Sequence, residues 1–134
     1  MSRLLLDTTA YSAMRRGDQR LLEPIQEATE IVLSSVVIGE LMYGFAGGRL
    51  ESDNRRLLRE FTESERVRTV DVDAETAERY ASIRNYLRGK GTPIPTNDLW
   101  IAASAAQHGL KVLSLDRHFK EVPQVLVEYF PPTA

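Results

Sequence analysis

The sequence contains no cysteine, which excludes disulfides, thiolate metal sites, iron–sulfur clusters and a cysteine nucleophile, and leaves only oxygen and nitrogen chemistry. Strong charge of one sign is also missing. Seventeen Lys and Arg against nineteen Asp and Glu give a net charge of -2, so contact with nucleic acid requires a local patch rather than overall basicity. Long apolar runs are absent too. Stretches such as Leu4–Leu6 and Ile31–Leu33 fall far short of the roughly 20 residues that span a bilayer. Asp7 interrupts the leucines after Arg3, well short of the about 7–15 apolar residues of a secretory signal. A cytoplasmic location away from membranes is therefore the default expectation. Repeats and low-complexity segments are not found.

What is present fits a globular protein. The 134 residues match the size of one domain, expected to span 1–134,. The content of 43% apolar and 27% charged residues is that of a chain that folds on its own core.

Apolar runs and helical periodicities alternate along the chain. Leu4–Leu6 reads as a strand stopping at Asp7, followed by a helix from Thr8 to Arg16 near Gly17,. Asp18 is expected to cap a second helix through Ala28, with Pro24 near its start,. Ile31–Leu33 reads as a buried strand, Ser34-Ser35 as caps, and Val37, Ile38, Leu41, Met42 and Phe45 as the apolar positions of a helix ended by Gly47-Gly48,. Glu51 to Glu65 has the amphipathic spacing of a surface helix, through Leu57, Leu58 and Phe61,. Val67 to Val72 returns to strand character. Asp73 and Glu75 open a helix closed by Gly89 and Gly91,. After Pro93 and Pro95, Thr96 is expected to cap a helix from Asn97 to about His108,. Lys111–Leu115 and Val125–Val127 complete the strands. Strands alternating with helices long enough for crossovers predict a three-layer α/β/α domain around a mostly parallel central sheet.

In such sheets the functional crevice lies at the carboxyl ends of the strands. Asp7 and Asp116 each follow a strand run directly, Asp98 falls in the first turn of the helix after Pro95-Thr96, and Glu40 lies on the apolar helix after Ile31–Leu33. Brought together, these four carboxylates repel one another unless a cation or proton neutralises them, and a set of oxygen ligands points to Mg2+ or Mn2+. Each acid also has an ordinary reading: Asp7 as a helix cap, Asp98 at a helix dipole, Asp116 in a turn, Glu40 facing water. Their joint placement favours the cluster.

The segments Leu4-Leu5-Leu6-Asp7-Thr8-Thr9, Ser35-Val36-Val37-Ile38-Gly39-Glu40-Leu41, Pro95-Thr96-Asn97-Asp98-Leu99-Trp100-Ile101-Ala102-Ala103 and Leu113-Ser114-Leu115-Asp116-Arg117-His118-Phe119 resemble the four acidic motifs of PIN-domain ribonucleases, and more narrowly those of VapC toxins. One departure is Thr9, where the family usually has Asn. The resemblance implies a single PIN domain over 1–134 that cleaves RNA as a metal-dependent endoribonuclease. Asp7, Glu40, Asp98 and Asp116 form its catalytic and metal-binding site, with one or two Mg2+ or Mn2+ ions as cofactor. It also implies inhibition by a VapB-type antitoxin, and a homodimer. The competing class is a non-catalytic module whose acidic pocket holds a cation or a basic partner.

Because an acidic pocket repels a polyanion, RNA must be met by the metal and by cations on the rim, for which Arg15, Arg16, Arg84, Arg88 and Lys90 are available,. Leu41, Met42, Phe45, Leu57, Leu58 and Phe61 are read as an apolar groove for a partner helix or as core,. His108 and His118 lack the spacing of a paired metal site, so His118 is read as a loop or packing residue. Trp100 shows no stacking pattern beyond core use. The glycines at 44, 47 and 48 are not followed by the Lys-Ser or Lys-Thr of a phosphate loop,.

Overall fold

Three consecutive leucines form the centre of the molecule because successive strand residues point to opposite faces, and a strand covered on both faces must be apolar at every position. The computed structural model, which describes residues 2–133, places Leu4, Leu5 and Leu6 at 0% exposure. They belong to β1 (Arg3–Leu6), the middle strand of an all-parallel five-stranded sheet of order β3-β2-β1-β4-β5. β2 (Glu30–Ser34) and β4 (Lys111–Ser114) flank it and are buried almost throughout. β3 (Val67–Val70) and β5 (Val127–Tyr129) are the edges. The three-layer architecture expected from the alternation is present, and the sheet is parallel throughout.

The helices are α1 (Thr8–Arg15), α2 (Leu22–Glu27), α3 (Ser35–Phe45), α4 (Glu51–Thr62), α5 (Ala74–Lys90) and α6 (Thr96–His108). None among the described residues is long and apolar enough to cross a membrane. Leu41 and Leu58 are buried in the core, Phe45 and Phe61 pack against it, and Phe61 meets Tyr11 edge-on, so most of the suspected groove is interior.

Several boundaries differ from expectation for local reasons. Asp18 caps a short 3-10 helix, Gln19–Leu21, rather than α2 itself. Pro24 then sits in the first turn of α2, where its missing N–H costs no helical bond,. Ser34 alone caps α3, accepting from the Val37 amide at 3.2 Å. Thr96 is not a cap: Pro95 holds that position without a side-chain bond, and Thr96 is the first helical residue. Gly89 lies inside α5, and Gly91, at φ 73°, ends it in the left-handed conformation that favours glycine,. The last strand begins at Val127 rather than Val125, since its register is set by pairing Val112 with Val127 and Ser114 with Tyr129, not by its own apolar run. β3 stops at Val70 and α4 at Thr62.

The order of strands places the site. From β1 the chain moves outward to β2 and β3, then returns to the other side of β1 to make β4 and β5. The connections leaving β1 and β4 therefore diverge, opening a crevice at the carboxyl ends of these two strands.

Candidate active site

Asp7 directly follows β1 at the floor of that crevice and is only 2% exposed. It does cap α1, its Oδ1 accepting from the Ala10 amide at 2.8 Å, but its carboxylate is also held by two hydroxyls. Thr9 donates to it at 2.7 Å, and Ser114, at the end of β4, donates to Oδ2 at 2.6 Å. Each hydroxyl in turn accepts an amide from the loop after β4: Thr9 from Leu115 at 2.9 Å, Ser114 from Asp116 at 2.8 Å. The loop carrying Asp116 is thus tied to Asp7 through two side chains. Burial pushes the Asp7 carboxyl above its ordinary value despite these bonds, and the nearby Asp116 charge adds to the rise,.

Asp98, third residue of α6, faces Asp116, the N-cap of the 3-10 helix Arg117–Glu121. Burial, then repulsion from Asp116, raises the Asp98 carboxyl to about 6 against an ordinary 3.8, although a contact with His118 works the other way. His118 Nδ1 stands 3.0 Å from Asp98 Oδ2 and 2.8 Å from Asp116 Oδ1. Glu40, half-buried on α3, forms the remaining wall. Its Oε1 accepts from Thr8 Oγ1 at 2.6 Å and its Oε2 from Asn97 Nδ2 at 2.9 Å. Through these bonds the helices bearing the second and third motifs are joined to the first.

All four acids named from the sequence therefore lie in linked positions around the crevice. Among the described residues, none of them has a lysine or arginine at ion-pairing distance. Oxygen donors without a lysine or arginine partner, two of which, Asp7 and Asp98, have carboxyls raised by burial, suit a hard divalent cation,. Asp98, Asp116 and His118 each offer a donor atom within 4.8 Å of the others.

His118 is the correction to the sequence reading: it is in the cluster, not a loop or packing residue outside it. Its position two residues after Asp116 was the available signal. Ser114, two before Asp116 and the last residue of β4, was equally within reach. The rim cations divide. Arg15 is engaged with Tyr11 Oη and the Leu57 carbonyl, Arg84 with Tyr80 and Arg88 with Asn85, while Lys90 lies over the Tyr86 ring. Arg16 lines a cavity of about 270 Å³ with Thr8, Thr9, Ser12 and Leu115. A neighbouring cavity of about 440 Å³ shares Thr9 and Leu115 and adds Asp116 and Arg117, an arginine the sequence reading passed over. Trp100 stacks on Tyr80 at 3.9 Å between ring centroids, bracing α5 against α6.

Residues 4–125 match the model of the PIN domain. The chain belongs to the PIN-domain family. Within the family it is similar to Ribonuclease VapC2 of Rickettsia felis, with 32% identity over 129 residues covering 92% of this chain and 95% of that protein. In structure this PIN domain superposes on a DNA-bound VapBC from Salmonella typhimurium with TM-score 0.83 at 27% identity, covering 96% of this chain and 98% of the other. A member of the VapBC family of toxin–antitoxin systems from Mycobacterium tuberculosis, VapBC-5, gives TM-score 0.74 at 26% identity, covering 98% and 100%.

Proposed function

We propose that this chain is a VapC-type toxin, a metal-dependent endoribonuclease that hydrolyses RNA phosphodiester bonds and is restrained by a VapB-type antitoxin. The observation that carries the reading is the convergence of Asp7, Glu40, Asp98 and Asp116 with no lysine or arginine among them. The similarity to proteins named as VapC ribonucleases and to VapBC complexes supports the substrate class and the partner.

Asp98 and Asp116, with Asp7 behind them, would hold Mg2+ or Mn2+, which would supply positive charge for attack of water at phosphorus and for the departing oxygen,. Asp7, fixed by Thr9, Ser114 and the Ala10 amide, contributes a carboxylate that needs no reorganisation when charge develops. Glu40 is oriented by Thr8 and Asn97, one on each oxygen, and the second lone pair of either oxygen would serve a second ion or the attacking water. Arg16 and Arg117, beside the crevice, give the RNA backbone a path past the acids,.

Purified protein should cut a structured RNA in Mg2+ or Mn2+, stop when the ions are chelated, and stop on addition of its antitoxin. RNA bound but left intact under all these conditions would instead favour the non-catalytic module, and cleavage persisting in chelator would remove the metal from the mechanism.

A further inference from the structure

The His118 ring sits where the acid cluster is tightest. Its Nδ1 approaches one oxygen of Asp98 and one of Asp116 within 3.0 Å, yet a ring nitrogen carries at most one hydrogen, enough to serve one of these anionic acceptors well. Asp116 Oδ1 is also used by the His118 backbone amide at 2.9 Å. As a hydrogen-bonding arrangement this leaves two carboxylates sharing one ring hydrogen, with no lysine or arginine at ion-pairing distance among the described residues,. As a set of ligands it has suitable dimensions: in an octahedral shell with bonds of about 2.1 Å, adjacent donor atoms stand about 3 Å apart. That is the spacing Nδ1 keeps to both oxygens.

The root of the ring is fixed independently of any ion. Asp116 caps the 3-10 helix and Phe119, the next residue, is fully buried, so His118 leaves the backbone at a set angle. Its side chain is 42% exposed, which gives packing little part in holding it. The other histidine, His108, ends α6, and its carbonyl accepts from Arg3 at the start of β1, at the far end of the sheet.

The geometry points to His118 as a nitrogen ligand of the cation held by Asp98 and Asp116, a mixed nitrogen–oxygen site that favours Mn2+ over Mg2+. This rests on the cluster being a cation site and adds a donor to it. Imidazole suits first-row transition ions, whereas Mg2+ prefers oxygen and water. Loss of the ring therefore weakens Mn2+ more than Mg2+, while a purely electrostatic neighbour would affect both divalent ions alike.

Pulsed electron paramagnetic resonance of Mn2+ bound to the full chain should show coupling to an imidazole nitrogen, lost in His118→Ala and kept in His108→Ala. Calorimetric titration should show His118→Ala and His118→Gln weakening Mn2+ about tenfold and Mg2+ less than about threefold. Mn2+ bound by the unaltered protein without nitrogen coupling, or equal losses for the two ions, would overturn the ligand assignment while leaving the cation site in place. Failure of the unaltered protein to bind either ion would overturn both.

Discussion

Toward the amino ends of the strands, Glu30 lies 3.2 Å from Arg3 and 3.0 Å from Arg68, and Lys111 lies 3.1 Å from Glu128. At the carboxyl ends, Asp7, Asp98 and Asp116 gather with a single imidazole as their nearest base. The same sheet thus joins an end where charges are matched in sequence-distant pairs to one where charge of one sign accumulates. The difference is visible in the carboxyls themselves: Arg68, with Arg3 helping, holds Glu30 below its ordinary value, whereas burial lifts Asp7 and Asp98 above theirs. Pairing of the first kind fixes strand order at modest energy. Crowding of the second kind costs stability and is retained where something must be bound.

The largest effect should come from removing charge at the carboxyl end. Asp98→Asn is expected to lower RNA cleavage at least about a hundredfold, the scale seen when one electrostatic group aimed at a transition state is lost. Rates measured at saturating Mg2+ and Mn2+ check this, and near-normal cleavage would remove Asp98 from the machinery.

Next is the bridge beneath the acids. Thr9→Val keeps the shape but removes the hydroxyl that joins the Leu115 amide to Asp7. An amide left unpaired should cost about 1–3 kcal/mol in denaturant unfolding, and cleavage should fall as the loop bearing Asp116 loosens. Thr9→Asn retains a donor and an acceptor and should recover much of both losses; failure to do so would mean that the hydroxyl acts in some other way.

The contrast between the ends also has a sign in pH. Asp98 is raised in the folded protein to about 6 from 3.8, so the fold prefers its protonated form, and stability is lost as pH rises through about 4 to 6. In chelator, Asp98→Asn should therefore be no more stable than the unaltered protein near pH 4 and more stable above pH 6. With its side chain 14% exposed, a gain on the order of 1–2 kcal/mol remains after allowance for solvent screening. Divalent ions should reverse the order by stabilising only the unaltered protein appreciably. Thermal melts with and without chelator test both halves, and a variant less stable at every pH would make Asp98 chiefly a helix-end residue.

Much of this is legible in the amino-acid sequence. The runs at Leu4–Leu6, Ile31–Leu33 and Lys111–Leu115 are apolar because both faces of those strands are covered, and an acid directly after such a run can be located from its neighbours alone. The helix dipole reading of Asp98 and the cap reading of Asp7 were also correct, since both residues perform the local role and join the cluster. The edge strand Val127–Tyr129 was displaced because an edge is only half covered and its register depends on a partner. The hydroxyl of Thr8 escaped for a different reason: its role depends on Glu40 facing it, and a short polar residue carries no periodicity that announces a distant partner; for His118 and Ser114 only their spacing from Asp116 was legible, not the groups they meet.

The smallest effect belongs at the other end of the sheet. Glu30→Gln removes the carboxylate shared by Arg3 and Arg68, yet both arginine side chains are more than 40% exposed, and water replaces most of what is lost. The expected cost is under about 1 kcal/mol, shrinking further at high salt. Because Arg68 and Arg3 lower the Glu30 carboxyl, its stabilisation is present above its unfolded value near 4.5 and lost as pH falls below that, the reverse of Asp98. Unfolding of Glu30→Gln at pH 7 and pH 3.5, together with an RNA cleavage rate unchanged from the parent, tests the division directly: a cleavage defect here would show that the two ends communicate through β1 and β2 rather than acting separately.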